Sequence, residues 1–127
     1  MMKGGEETIL FAEDDGILRE MISDMLAMVG YEVLNARDGE DALRIFKEHR
    51  DRIQLLILDV VMPKRNGKEV YFELKKQNPL IKTIFISGYP ANFLDKHLMR
   101  EKQCTFISKP FIISEFLIKV REVLENN

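Results

Sequence analysis

Short apolar runs of strand length alternate with longer stretches that carry apolar residues at helical spacing, along almost the whole chain. The pattern predicts five strands, at 8–12, 31–36, 53–58, 81–86 and 104–108. It predicts five helices, at about 17–29, 39–49, 67–77, 91–102 and 113–124. Strands that alternate with helices form a parallel sheet covered on both faces. We therefore predict an α/β domain of three layers, in which a doubly wound five-stranded parallel sheet has the strand order 2-1-3-4-5.

The composition is that of one globular domain. The 127 residues are 46% hydrophobic and 31% charged, and we predict a flexible lead-in at 1–7 and a single domain at 8–125. The net charge of −2 and the lack of a basic block argue against nucleic-acid binding by this domain. No apolar run reaches the roughly 18 residues of a membrane helix, so we expect no membrane contact by this domain. The single Cys104 has no internal disulfide partner, which is typical of a reducing compartment and indicates a cytoplasmic protein.

Chemically active side chains follow four of the five predicted strands. Glu13 and Asp14 follow the first strand, and Asp59 follows the third. Ser87 follows the fourth strand, and Lys109 follows the fifth. Because the carboxyl ends of parallel strands meet at one edge of the sheet, where ligands bind in such folds, we expect these side chains to converge. Each group alone has an ordinary structural explanation, such as capping the next helix, but their joint occurrence favours a functional site.

The convergence of three carboxylates favours a bound cation, because like charges repel one another. Oxygen ligands with open positions suit Mg²⁺, which binds through one or two carboxylates and a phosphate. In such a site Asp59 would act as a nucleophile towards phosphorus. Lys109 would place a positive charge on the phosphoryl oxygens, and the Ser87 hydroxyl would donate a hydrogen bond. Asp15 can be read either as another acid of the cluster or as a cap of the next helix.

With these residues, the chain resembles the receiver domain of two-component response regulators over about 8–124. The family pattern is an acidic pair, a phosphoacceptor aspartate, a threonine or serine, and a lysine-proline pair. These positions are occupied here by Glu13-Asp14, Asp59, Ser87 and Lys109-Pro110. Gly67 matches the glycine found eight residues after the acceptor. The resemblance implies a flavodoxin-like fold of the chemotaxis-receiver kind and a cis peptide bond at the lysine-proline pair.

The resemblance implies a Mg²⁺-dependent transfer of phosphate from a phosphohistidine to Asp59. Asp14 and Asp59 would bind Mg²⁺ directly, Glu13 through a water molecule, and Val61 through its backbone carbonyl. The domain would then be a phosphoacceptor in a phosphorelay. Its own chemistry would be limited to autocatalytic phosphotransfer and autodephosphorylation, so it would not be an enzyme in the usual sense.

The resemblance also assigns a switch and two residues that tune its lifetime. Ser87 would move towards the phosphoryl group, and the ring of Phe106 would rotate into the space that it leaves. Because phenylalanine lacks a hydroxyl group, we expect the Phe106 ring to lie inward even without phosphate. Val61 and Tyr89 replace polar residues that some receivers carry beside the route of attacking water, so we expect them to prolong the life of the acyl phosphate.

The implied partner is a histidine kinase or a histidine phosphotransfer domain, which would contact the first helix and the loops around the site. We predict that Ile17, Met21 and Met25 belong to the core rather than to that interface. The domain resembles receivers of hybrid sensor histidine kinases, whose full-length parent could be membrane-anchored, although a stand-alone response regulator or an excised fragment of a transcription factor stays open. The fourth and fifth helices are a frequent dimer surface in the family, which leaves a homodimer open.

Three other functions compete with this interpretation. A pseudo-receiver would act only through protein contacts, but it would be expected to have lost one of the site residues. An aspartyl-phosphate phosphohydrolase needs a second acid two residues after its nucleophile, where this chain has Val61. A nucleotide- or flavin-binding module would need a glycine-rich loop after the first strand, where this chain has acids.

Overall fold

The computed structural model describes residues 4–88 and 96–126. Within them, five parallel strands form one sheet in the order β2-β1-β3-β4-β5. The strands are β1 (Thr8–Ala12), β2 (Glu32–Ala36), β3 (Ile53–Asp59), β4 (Lys82–Ser87) and β5 (Cys104–Ser108). The helices are α1 (Gly16–Met28), α2 (Gly39–His49), α3 (Gly67–Gln77), α4 (Lys96–Met99) and α5 (Ile113–Glu125). The predicted fold class and strand order are confirmed.

Polar residues in the loops fix the beginning of the first three helices. The Asp15 carboxylate accepts hydrogen bonds from two backbone amides in the first turn of α1, and the Asp38 carboxylate accepts one from α2. Asn66 forms a capping box with Glu69 at the start of α3. Gly30 has a φ of 105°, a left-handed conformation that suits glycine just after a helix, so it ends α1 as the sequence predicts.

The sheet separates two hydrophobic cores, which makes the domain three layers thick. One core lies between the sheet and the helices α2, α3 and α4, and its large buried side chains are Leu10, Phe46, Leu56, Tyr71 and Phe85. The other lies between the sheet and the helices α1 and α5, and its large buried side chains are Phe11, Ile22, Leu26, Leu55, Ile57 and Phe116. Because both faces are covered, β1, β3 and β4 are almost completely buried, as expected for central parallel strands.

The apolar stripe predicted for α1 is wider than the buried face of the helix. Ile17 is 85% exposed and Met21 is 46% exposed, so the prediction that both belong to the core is wrong. Ile22 and Leu26 form the fully buried side of α1 instead. Seven apolar residues at helical spacing exceed what one side of a helix can bury against a sheet, and the surplus faces solvent.

The fourth helix ends earlier than predicted. The expected helix at 91–102 falls partly outside the described residues, and the described part ends at Met99. The chain then turns, with the Glu101 amide bonded to the Leu98 carbonyl at 3.0 Å. The Glu101 carboxylate accepts hydrogen bonds from Tyr71 and Lys75 of α3, which hold this turn against its neighbour. Three strands also differ from the prediction by one residue: β2 begins at Glu32, β3 extends to Asp59, and β4 spans Lys82–Ser87.

The amino-terminal edge of the sheet is closed by an arginine of α5. The Arg121 guanidinium donates two hydrogen bonds to the Glu7 carboxylate, at 2.6 and 3.1 Å, and one to the Gly4 carbonyl at 3.1 Å. The Gly5 amide also donates to the Val29 carbonyl at 3.1 Å. The stretch 1–7, predicted to be a flexible lead-in, is described from Gly4 onward, and there it is bonded to α5 and to the end of α1.

Candidate functional site

A single lysine joins three strand ends at the carboxyl edge of the sheet. The Lys109 ammonium group donates to Glu13 Oε1 at 2.8 Å and to Asp59 Oδ2 at 2.9 Å. Glu13 follows β1, Asp59 ends β3 and Lys109 follows β5, so the lysine side chain reaches across the end of β4. The carboxylates are shielded from water, with side-chain exposures of 1% for Glu13 and 8% for Asp59. Because the pairs are desolvated and hydrogen-bonded, removing one partner would leave a buried charge uncompensated.

The electrostatics of the edge show an excess of negative charge. Burial, and after it the neighbouring Asp59 carboxyl group, raise the pKa of Glu13 to about 7, against the opposing effect of Lys109. Burial alone would lower the pKa of Lys109, but the two carboxylates together raise it above its ordinary value. The lysine therefore stays charged, but one ammonium group does not balance all the acids at this edge.

The donor set at this edge fits a hard divalent cation. Glu13, Asp14 and Asp59 each offer a carboxylate oxygen, and these oxygens lie within 4.8 Å of one another. Asp14 is exposed, whereas the other two are buried, so a cation held here could keep water on its open side. All-oxygen ligation with retained water is what Mg²⁺ prefers in proteins. Asp15 caps α1 through Oδ1, which accepts hydrogen bonds from the backbone amides of Ile17 at 3.0 Å and Leu18 at 3.2 Å.

Asp59 is held in place by the backbone around it. Its Oδ1 accepts a hydrogen bond from the Val61 amide at 3.1 Å, which leaves Oδ2 to Lys109. The loop after β3 is pressed onto α3, where the Gly67 amide donates to the Val60 carbonyl at 2.9 Å. A Cβ atom on Gly67 would lie 2.4 Å from the Asp59 carbonyl oxygen, so only glycine fits without displacing the strand end. This contact gives a physical reason for the glycine that the family resemblance singles out.

The residues assigned to the switch lie next to the acids, on β4 and β5. Ser87 is 4% exposed, and its carbonyl accepts a hydrogen bond from the Lys109 amide at 2.7 Å. The peptide bond between Lys109 and Pro110 is cis, as the family resemblance implies. The Phe106 ring is partly buried and stacks on Phe85, with ring centroids 5.5 Å apart and an angle of 15° between the planes.

The two residues assigned to kinetic tuning differ in what the structure describes. Val61 is 54% exposed, and its backbone amide donates to Asp59, so its side chain lies on the solvent side of the Asp59 carboxylate. Tyr89 lies outside the described residues, and its assigned role stays a prediction.

Two features of the site were not recognised in the sequence. Arg19 of α1 donates from Nη1 to the Glu13 carbonyl at 2.7 Å, which ties the helix to the acidic loop. An apolar groove of about 470 Å³ also opens beside Lys109, between α1 and the loop before α5; it is lined by Leu18, Met21, Lys109, Pro110, Phe111 and Ile113. The exposed apolar residues of α1 were the available signal for this groove, and the arginine one turn into α1 was the signal for the tie.

Comparison with known proteins assigns the domain. The family model described as the response regulator receiver domain matches residues 9–121. The receiver domain of the hybrid histidine kinase CckA has a crystal structure that superposes with a TM-score of 0.81 at 36% identity, covering 93% of this chain and 99% of that one. A receiver domain protein from Clostridium thermocellum gives a TM-score of 0.85 at 28% identity, covering 93% and 94%. The chain belongs to the response regulator receiver domain family of two-component systems.

The curated relatives are longer proteins. The sensor kinase CckA of Brucella abortus is 35% identical over 121 residues, which are 95% of this chain and 13% of that protein. The probable transcriptional regulator ycf27 of Porphyridium aerugineum is 35% identical over 94% of this chain and 48% of its own length. The chain therefore spans less than half of each of these relatives. Receiver domains are phosphoacceptors that interact with histidine kinases or phosphotransfer proteins, and they typically bind Mg²⁺. In the described part of the chain, every helix is too short or too polar to span a bilayer.

Proposed function

We propose that Asp59 accepts a phosphoryl group from a phosphohistidine of a kinase or phosphotransfer domain, in a Mg²⁺-dependent reaction. The observation that carries the proposal is the Lys109 bridge, which lies 2.9 Å from Asp59 Oδ2 and 2.8 Å from Glu13 Oε1 at the edge where three carboxylates converge. A lysine that merely neutralised a surface acid would not need two buried carboxylates. A lysine that stabilises the charge of an incoming phosphoryl group needs this position.

The transfer is a nucleophilic displacement at phosphorus. A carboxylate oxygen of Asp59 forms a bond to phosphorus, while the bond between phosphorus and the imidazole nitrogen breaks and its electron pair returns to the ring. The product is an acyl phosphate on Asp59 and a histidine on the partner, so no further reactant is needed. Lys109 stays protonated and moves its hydrogen bond from the carboxylate to the phosphoryl oxygens, and the Ser87 hydroxyl supplies a second donor.

Asp14 and Asp59 would hold Mg²⁺ directly, with Glu13 acting through water and Val61 contributing its backbone carbonyl. The ion would neutralise charge on the phosphoryl group. The excess of carboxylates over ammonium groups at this edge supports the assignment, because crowded carboxylates are stabilised by a cation.

The output would depend on the switch pair. Movement of Ser87 towards the phosphoryl group would open space for the Phe106 ring, which already lies partly buried against Phe85. A small displacement at the site would then become a change on the exposed side of β5, because packed aromatic rings move between discrete positions. The surface so changed is the one that a downstream partner would contact.

The apolar groove beside Lys109 supports a helical phosphohistidine domain as the partner. It continues directly from the site, since Lys109 lines the groove and also contacts Asp59. Met21 of the groove is partly exposed, and Ile17 of α1, 85% exposed, adds further apolar surface on the same helix. A partner that presents a phosphohistidine on an amphipathic helix would place the phosphoryl group over Asp59 and its apolar face in the groove.

We infer the kind of protein to which this domain belongs from its similarity to known relatives. We favour a receiver module of a hybrid sensor histidine kinase, because the CckA receiver is similar to this chain at 36% identity. A stand-alone response regulator is the second candidate. Phosphohydrolase activity is disfavoured because Val61 occupies the position of the second acid, and a pseudo-receiver is disfavoured because every assigned site residue is present.

The proposal is tested by phosphorylating the purified chain with acetyl phosphate, with and without Mg²⁺, and measuring its intact mass. We expect one phosphoryl group, only with Mg²⁺, and none on Asp59→Asn. Asp15→Asn is the matched control, because it removes an acid from the same loop region but keeps a residue that caps α1 well. Stoichiometric labelling of the Asp59 variant would overturn the assignment.

A further inference from the structure

Arg19 lies beside the acid cluster but bonds to the backbone there. Its guanidinium donates to the backbone carbonyl of Glu13 at 2.7 Å, and the side chain folds back over Gly16 to reach it. Within residues 4–88 and 96–126, Arg19 forms no ion pair with a carboxylate. The residue therefore does not act as an ordinary surface counter-ion. It binds the main chain at the end of β1, where the acidic pair Glu13-Asp14 begins.

The Arg19 hydrogen bond adds to others that hold Glu13 in place. Its amide donates to the Ala36 carbonyl at 3.2 Å, so the backbone on that side is tied to β2. Its carboxylate accepts the Asp15 amide at 3.2 Å, and its carbonyl accepts Arg19. The carbonyl of Glu13 belongs to the peptide group that leads into Asp14, so the Arg19 bond also sets the direction in which the exposed Asp14 leaves the strand.

We propose that Arg19 is a positioning residue, which presents the acid pair Glu13-Asp14 to Mg²⁺ by holding the peptide group between them. The proposal rests on the proposed function, because it concerns the same cation. Groups that orient metal ligands from outside the ligand set typically change metal affinity by 10–100-fold when they are removed. Since Arg19 holds the backbone and not a carboxylate, we expect the lower end of this range.

The alternative is that Arg19 acts only through its charge, and that alternative predicts the opposite sign. A cation beside the acid cluster repels Mg²⁺, so its removal would tighten binding. Loss of a positioning contact would weaken binding instead. The direction of the change therefore separates the two explanations.

The test is a calorimetric titration of the full chain with Mg²⁺ alone, on Arg19→Met and Arg19→Lys. We expect Arg19→Met to bind Mg²⁺ about tenfold more weakly. Arg19→Lys keeps the charge and one donor of similar reach, so we expect it to recover most of the affinity. Arg37→Met is the matched control, because Arg37 follows β2 at the same edge with a side chain that is 77% exposed; we expect it to bind Mg²⁺ like the unmodified chain. Unchanged or tighter binding by Arg19→Met would overturn the proposal.

Two further measurements separate positioning from mere stability. Thermal unfolding without Mg²⁺ measures how much stability Arg19→Met loses. A positioning role also requires that acetyl phosphate label Arg19→Met at the rate of the unmodified chain when Mg²⁺ is saturating. A rate that stays low at saturation would contradict the inference. If Arg19→Met does not fold, Arg19→Gln decides the question, because it also removes the charge: weaker Mg²⁺ binding supports positioning, and unchanged or tighter binding overturns it. If the unmodified chain itself binds no Mg²⁺, the proposed function fails; normal binding by the unmodified chain and by Arg19→Met refutes the inference alone.

Discussion

Replacing Gly67 by alanine tests whether Asp59 is held in place by the contact between the end of β3 and the start of α3. Gly67 is the first residue of α3, and the added Cβ would lie 2.4 Å from the Asp59 carbonyl oxygen and 3.0 Å from Val60 Cα. To bring the shorter distance to 3.0 Å, the strand end or the helix must move by about 0.6 Å, and the neighbouring atoms belong to rigid backbone. Overpacking of this kind costs about 1–3 kcal/mol of unfolding free energy.

The same movement should slow phosphorylation, because it displaces Asp59, the proposed nucleophile. A misplacement of about 1 Å can lower a rate by about 100-fold, so we expect a loss of at least about tenfold for Gly67→Ala. Urea denaturation measures the unfolding free energy, and intact mass after acetyl phosphate treatment measures the labelling rate.

Gly16→Ala is the matched control for Gly67→Ala. Gly16 is also the first residue of a helix, but its Cβ would meet only the Arg19 side chain, at an ordinary 3.5 Å. We expect Gly16→Ala to be as stable as the unmodified chain or up to about 1 kcal/mol more stable, since alanine favours helix over glycine. If Gly67→Ala behaved like Gly16→Ala in both assays, the argument that backbone contact positions Asp59 would be refuted.

Three further predictions concern the cap, the amino-terminal edge and the lifetime of the phosphorylated state. Asp15→Ala should cost about 1 kcal/mol in urea denaturation but leave Mg²⁺ affinity within about twofold, and a large loss of affinity would show that Asp15 is a ligand. The Arg121 hydrogen bond holds the pKa of Glu7 below its ordinary 4.5, so this pair stabilises the fold above that pH and loses its contribution as the pH falls. Arg121→Met should therefore cost about 2 kcal/mol at neutral pH and less as the pH falls and Glu7 loses its charge, and an equal loss at neutral and acidic pH would contradict this account. Val61→Asn should shorten the life of the acyl phosphate, measured as loss of label with Mg²⁺ present, and decay of the unmodified chain within seconds would refute the shielding idea.

The sequence predicts the sheet and the strand-end residues well, for a definite physical reason. Alternating periodicity specifies a parallel sheet, and a parallel sheet places all carboxyl ends at one edge, so Glu13, Asp59 and Lys109 follow from strand order alone. Periodicity carries no such information about long charged side chains. The reach of Arg19 to a carbonyl and of Arg121 to Glu7 depends on the angles at which helices settle on the sheet, which no local pattern specifies.

The errors in the prediction have related causes. The apolar stripe of α1 counted Ile17 and Met21 as core, because spacing alone does not separate a buried face from an exposed apolar surface beside a site. The end of the fourth helix was misplaced because its termination involves Glu101, whose partners Tyr71 and Lys75 are about 30 residues away along the chain. In both cases the deciding contacts are distant in sequence.

Long-range side-chain contacts join distant parts of the chain at both edges of its sheet. At the carboxyl edge Lys109 bonds to Glu13, 96 positions away, and at the amino edge Arg121 bonds to Glu7, 114 positions away. Neither closure can form before the last strand and helix have docked, because both lysine and arginine belong to the final quarter of the chain. An incompletely folded chain, or one still being synthesised, therefore lacks the convergence of Glu13, Asp59 and Lys109 at the carboxyl edge. Under the proposed function, the domain could accept a phosphoryl group only after β5 and α5 have docked.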